Sequence, residues 1–84
     1  MSYQVEFTPR AQKELDALEH VIRGRILKGL GRLASDPYKS PNVQALEGGG
    51  YRLQVGDFRV LYIVENARLV VVVIGVRDRK EAYR

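Results

Sequence analysis

The chain has 84 residues, 45% of them apolar, with 14 basic against 10 acidic side chains and a formal net charge of +4. That length allows one domain with one modest core, and the apolar share excludes a disordered polypeptide. The absence of cysteine excludes a disulfide framework and thiolate metal sites.

Residues 1–6 carry neither a basic n-region nor an apolar h-region, so the expectation is a cytoplasmic protein with no signal peptide and no membrane span. Tyr3, Val5 and Phe7 alternate with Gln4 and Glu6, as in a half-buried strand. Thr8-Pro9 stops it, because Thr is a good N-cap and Pro suits the first helical position. Ala11, Leu15 and Leu18 then recur at spacings of four and three, which predicts a short helix with one apolar stripe. Glu19-His20 reads as the corner. A second helix carries Val21 or Ile22, Ile26, Leu30 and Leu33 or Ala34 inward and ends before Asp36-Pro37. It holds Gly24, Gly29 and Gly31, each costing about 1 kcal/mol relative to Ala, so packing must keep it helical.

Residues 36–50 read as a loop with a short apolar anchor at Val43, Ala45 and Leu46. Gly48-Gly49-Gly50 lacks the Gly-Lys-Ser/Thr ending of a phosphate-binding loop and serves as a flexible entry to the next strand. Residues 51–55 alternate, Gly56-Asp57 makes a tight turn, and residues 58–64 return, the pattern of a hairpin. Residues 65–68 form a second turn. Residues 69–76, Leu-Val-Val-Val-Val-Ile-Gly-Val, are too short to cross a bilayer and read as a strand buried on both faces at the centre of the sheet. A charged tail, residues 77–84, follows. The predicted fold is α+β: an N-terminal strand, a two-helix hairpin and an antiparallel three-stranded meander. The helices cover one face of a four-stranded, mostly antiparallel sheet, and the tail is short or forms one helical turn. Residues 1–84 form a single domain.

Ten of the 14 cations are Arg, whose planar fork suits phosphate. Seven basic residues (Arg52, Arg59, Arg68, Arg77, Arg79, Lys80, Arg84) against four acids lie from Tyr51 onward. Alternation places Arg52 and Gln54 on one strand face, and a two-residue turn brings Arg59 close to them. The last strand delivers Arg77, and the tail adds Arg79, Lys80 and Tyr83. Guanidiniums and a tyrosine on one open surface, with few carboxylates, suit phosphate and base. A solvated basic surface is the plainer alternative.

His20, the one histidine, reads as an exposed helix-end residue, and Asp78 and Glu81 read as ion-pair partners of neighbouring cations. No metal-ligand cluster is present. The catalysis left open is metal-free RNA cleavage, in which the substrate supplies its own 2′-hydroxyl as nucleophile and arginines stabilise the phosphorane. Proton transfer is the weak point, because Arg is a poor base.

Three motifs carry a resemblance: the strand-Thr-Pro-x-Ala-x-x-x-Leu opening, Tyr51-Arg52-Leu53-x-Val55 with Gly56-Asp57-Phe58-Arg59-Val60-Leu61-Tyr62, and Val76-Arg77-Asp78-Arg79-Lys80-Glu81-Ala82-Tyr83. Across its whole length the chain resembles the RelE branch of the RelE/ParE toxin superfamily. The resemblance implies the toxin of a toxin–antitoxin pair, which enters the ribosomal A site and cuts mRNA by 2′-hydroxyl attack, without metal or cofactor. It implies a cognate antitoxin, acidic and partly disordered, that wraps the toxin. Arg59 and Arg77 match arginines that hold the scissile phosphate, and Tyr83 matches a tyrosine that stacks on the substrate. Arg52 and Gln54 stand where the best-known members have lysines, so the family's candidate base is missing at position 54; either Lys80 substitutes for it or the reaction depends on Arg77 and positioning alone, at a lower rate. The other branch, ParE, inhibits DNA gyrase. A non-catalytic module that binds RNA or an acidic protein is a third reading.

Overall fold

The computed structural model describes residues 2–78. Thr8 starts the first helix as its chemistry requires: its Oγ1 accepts the Ala11 N–H at 3.1 Å, with Pro9 in the first turn. Helix α1 (Pro9–Asp16) buries Ala11 and Leu15, while Leu18 packs against the core from beyond its end. Helix α2 (His20–Leu33) turns Ile22, Ile26, Leu30 and Leu33 inward and leaves Val21 47% exposed, which decides between the two candidates at its start.

The strands are β1 (Gln4–Phe7), β2 (Val43–Ala45), β3 (Tyr51–Val55), β4 (Phe58–Glu65) and β5 (Val70–Asp78), in the order β1-β5-β4-β3-β2. Strand β1 runs parallel to β5, and the other pairs are antiparallel. The α+β architecture is as expected, with five strands instead of four. The fifth, β2, is the segment read as a loop anchor; it pairs Val43 with Leu53 and Ala45 with Tyr51. Three residues are too few for alternation to show in a sequence. Its turn to β3 is closed by the Leu46 N–H on Gly50 O at 3.0 Å, so the glycine run is a hairpin turn.

The last strand differs from expectation in three ways, the first being that it runs on through Arg77 to Asp78, two residues read as the start of the charged tail. Leu69 lies in the preceding turn at φ +53, its N–H donating to Asn66 O, and the strand begins at Val70. The middle of the sheet is β4, not β5, and β5 is not buried on both faces: Ile74 is 40% exposed.

The reason is a β-bulge. Leu61 pairs with Gly75 but Tyr62 pairs with Val73, so Ile74 is the extra residue on β5. Before it, Val71 and Val73 face the helices; after it, Val76 does, and Gly75 and Arg77 move to the opposite face. Strict alternation from Val71 would have pointed Arg77 into the core.

The core lies between the helices and the inner sheet face, built on Ile26, Leu30, Leu33, Val60, Tyr62, Val71 and Val73. Only Gly29 among the three α2 glycines makes a close approach: a Cβ there would meet Leu53 and Val55 at 3.4 Å. Tyr62 is fully buried, and its hydroxyl donates to Pro37 O at 2.6 Å, tying residues 36–42 to the sheet. Tyr51 stacks on Tyr62 with centroids 5.6 Å apart, and Tyr38 meets Tyr51 edge-on at 5.5 Å.

Candidate functional site

On the sheet face away from the helices, strand register sets two short rows. Gln54 is opposite Arg59, and Arg59 is opposite Arg77, so three residues expected to share a site lie side by side across β3, β4 and β5. Neighbouring strands are about 5 Å apart, which puts Arg59 between its two partners. The next row is Gln44, Arg52, Leu61 and Gly75. The Gly56-Asp57 turn fixes this alignment: Gly56 has φ +56 and Val55 pairs with Phe58 across it.

The side chains are held differently. Arg59 Nε is shut off from solvent and has no hydrogen-bond partner among the described residues. A buried donor of that kind favours an acceptor. Arg77 folds back over Gly75; a Cβ on Gly75 would lie 3.0–3.2 Å from its guanidinium. Arg77 Nη1 donates to Glu14 Oε2 at 2.6 Å and to Val76 O at 3.2 Å. Arg52 Nη2 donates to Gln44 Oε1, and Gln54 Nε2 donates to Gly56 O at 2.6 Å.

Glu14 is the residue that sequence reasoning missed. Strand β1 ends opposite Val73, leaving the following edge of β5 without a strand partner among the described residues. Glu14, on α1, fills part of that edge: Oε1 accepts the Val76 N–H at 3.1 Å while Oε2 holds Arg77. Burial works to raise its carboxyl pKa, but the Val76 N–H, Arg77 and Arg10 together hold it below the ordinary glutamate value. The expectation of a site poor in carboxylates is thus corrected at Arg77. Nothing in the spacing of residues 14 and 77 signals the pair. The one available hint was an acid flanking the apolar stripe of α1, three residues after Ala11 and four before Leu18.

Arg68 leaves the cationic set for another reason. At the opposite end of the sheet it bridges Glu6 at 3.0 Å and Glu65 at 2.6 Å. His20 stands exposed at the start of α2, as expected. Tyr83, Arg79 and Lys80 lie outside the described residues, so the expected meeting of Arg59, Arg77 and Tyr83 is placed for the two arginines alone.

With an α+β sheet of this order and an arginine pair on its open face, comparison with known proteins is decisive. Residues 5–83 match the ParE toxin family of type II toxin–antitoxin systems. The chain belongs to the RelE/ParE toxin superfamily, on its RelE branch. A curated RelE-like toxin protein of Escherichia coli is 30% identical over 87 residues, covering 99% of this chain and 92% of the relative. A mutant of the E. coli toxin RelE in the free state superposes with a TM-score of 0.83 at 28% identity, over 99% of this chain and 90% of that one. The toxin in the intact E. coli RelBE toxin–antitoxin complex gives 0.81 at 28% identity, over 92% and 96%. An archaeal RelE–RelB complex from Pyrococcus horikoshii gives 0.76 at 25% identity, over 94% and 97%. This RelE-branch toxin is therefore a type II toxin with the fold of RelE. No helix among its described residues is long and apolar enough to cross a membrane.

Proposed function

We propose that this toxin is an mRNA endoribonuclease that acts in the ribosomal A site and stops translation. The observation that carries the reading is the register pairing of Arg59 with Arg77 on the open sheet face. Two arginines at facing positions on neighbouring strands offer forked donors to the non-bridging oxygens of one phosphodiester. The RNA 2′-oxygen attacks phosphorus while the bond to the 5′-oxygen breaks, giving a 2′,3′-cyclic phosphate and a 5′-hydroxyl; the 2′-hydroxyl proton leaves and the departing oxygen gains one. Charge that develops on the phosphorane oxygens is met by Arg59 and Arg77. Glu14 holds Arg77 in place. Tyr83 stacks on the substrate, and Arg52, Gln54, Arg79 and Lys80 bind around it, with Lys80 the tail's candidate for proton transfer. The reaction in this reading uses no metal or cofactor.

The partner in this reading is an acidic antitoxin that wraps the toxin, supported by the toxin–antitoxin complexes among the structural relatives. Both proteins work in the cytoplasm. The deciding experiment is cleavage of mRNA on programmed ribosomes by purified toxin, with Arg77→Ala cutting at least tenfold more slowly. Intact mRNA would overturn the nuclease reading.

The match to a family named for ParE favours one alternative, inhibition of DNA gyrase. Blocked gyrase supercoiling together with intact transcripts would select it. If neither target responds, the chain is a binding module for RNA or an acidic protein.

A further inference from the structure

Beside the end of β3, helix α2 and residues 40–42 enclose a hollow of about 320 Å³. Its α2 wall carries Arg25, Lys28 and Arg32, at spacings of three and four that align them along one side of the helix. They span roughly 10 Å of the helix axis. All three are exposed, and none has a side-chain ion pair among the described residues. No carboxylate among the described residues lines the hollow. Gly29 and Leu53 supply part of its apolar floor, where α2 approaches β3 so closely that a Cβ at Gly29 would meet Leu53 and Val55 at 3.4 Å.

Gln54 connects this hollow to the candidate site. It lines the hollow and is also the first member of the row that continues to Arg59 and Arg77. An RNA strand whose linkage lies at Arg59 and Arg77, leaving along the row past Gln54 and turning round the end of β3 to its helix side, arrives among cations with no competing carboxylate among the described residues.

We propose that Arg25, Lys28 and Arg32 form a second phosphate-binding stripe, which holds the RNA backbone flanking the linkage at Arg59 and Arg77. The occupant is the single-stranded substrate itself, gripped by charge without base readout, as backbone contacts are. The absence of an aromatic ring among the described residues of the lining fits this, since sequence-tolerant base stacking needs one. The inference rests on the nuclease reading for the identity of the strand, and it deepens that reading by giving the substrate a path.

The test measures binding of uncleavable 2′-O-methyl RNA by fluorescence anisotropy, using a trinucleotide and a longer unstructured oligonucleotide over a salt series. Wild type should bind the longer RNA much more tightly than the trinucleotide. Arg25→Gln/Lys28→Gln/Arg32→Gln should lose at least tenfold in affinity for the longer RNA and leave the trinucleotide unchanged. Its plot of log affinity against log salt should be shallower by about 2, at roughly 0.7 per phosphate released from a single strand. Lys13→Gln, on α1 outside the hollow, should change either affinity less than twofold.

Equal binding of the longer RNA by wild type and the triple variant overturns the proposal, as does equal loss for both RNAs. Unchanged RNA binding with lost binding of a polyglutamate peptide overturns it in favour of an acidic protein segment. Cleavage on programmed ribosomes is scored separately. Wild type that cuts mRNA while the stripe variant binds normally sinks the stripe and leaves the nuclease. Wild type that binds through the stripe and cuts nothing does the reverse.

Discussion

Glu14 and Arg77, 63 positions apart in the chain, meet at 2.6 Å, and the same carboxylate accepts the Val76 N–H at 3.1 Å. One acid thus fixes both the edge of β5 and an arginine near its end. Replacing it by an amide keeps an acceptor for the backbone and removes the charge that holds the guanidinium. Glu14→Gln should keep the fold and cut mRNA about tenfold more slowly, near the 1.4 kcal/mol expected for one charge-assisted hydrogen bond. Melting temperature and ribosome-dependent cleavage, measured together, check it. A lower melting point with unchanged cleavage would make Glu14 structural only.

The same pair gives an acid-side dependence of stability. The Glu14 carboxyl is held below 4.5 in the folded protein. A depressed carboxyl contributes stability above its unfolded value, and that contribution fades as pH falls through the folded value. Wild type should therefore lose stability below about pH 4.5 more steeply than Glu14→Gln, which cannot titrate. Urea midpoints at pH 7 and at successively lower pH compare the two. Parallel curves would show that the carboxyl carries no linkage.

Gly75→Ala probes Arg77 without touching either charge. The new methyl would lie 3.0–3.2 Å from the guanidinium, at the far end of a flexible side chain that can swing away. The expected result is an almost unchanged melting point with cleavage reduced severalfold and the Glu14 titration moved towards its ordinary value. Retained cleavage would show that the folded-back arrangement of Arg77 is unimportant.

Tyr62 makes an alkaline counterpart. Burial pushes its phenol up to about 12, with smaller contributions from Tyr51 and Asp36. A raised phenol keeps its stabilising effect below the unfolded value of 10.0 and loses it as pH climbs towards the folded value. Stability should fall between about pH 10 and 12. Tyr62→Phe should remove this limb and cost roughly 1–3 kcal/mol at neutral pH, because Pro37 O loses its buried donor. Denaturant melts of both proteins across that range decide it.

Most of the fold was legible one element at a time. Thr8-Pro9 announced α1, Ile26, Leu30 and Leu33 gave α2 its inner stripe, and Gly56-Asp57 set the β3–β4 register that aligns Gln54 with Arg59. Each of these signals is local, with cause and effect within a few residues. Strand β2 escaped because three residues show no period, and Leu69 was read as strand because its positive φ leaves no mark on an apolar run.

Sequence by itself determined the α+β class, the hairpin that presents Arg59, and the superfamily to which the motifs belong. Tertiary structure alone decided which way Arg77 points and what holds it. The extra residue at Ile74 is defined only against the partner strand, since an unbroken apolar run reads alike in either phase. Glu14 became a partner of Arg77 because β1 stops short and leaves an edge for α1 to cap. Both facts come from non-local pairing, and local periodicity holds no record of the distances between elements far apart in the chain.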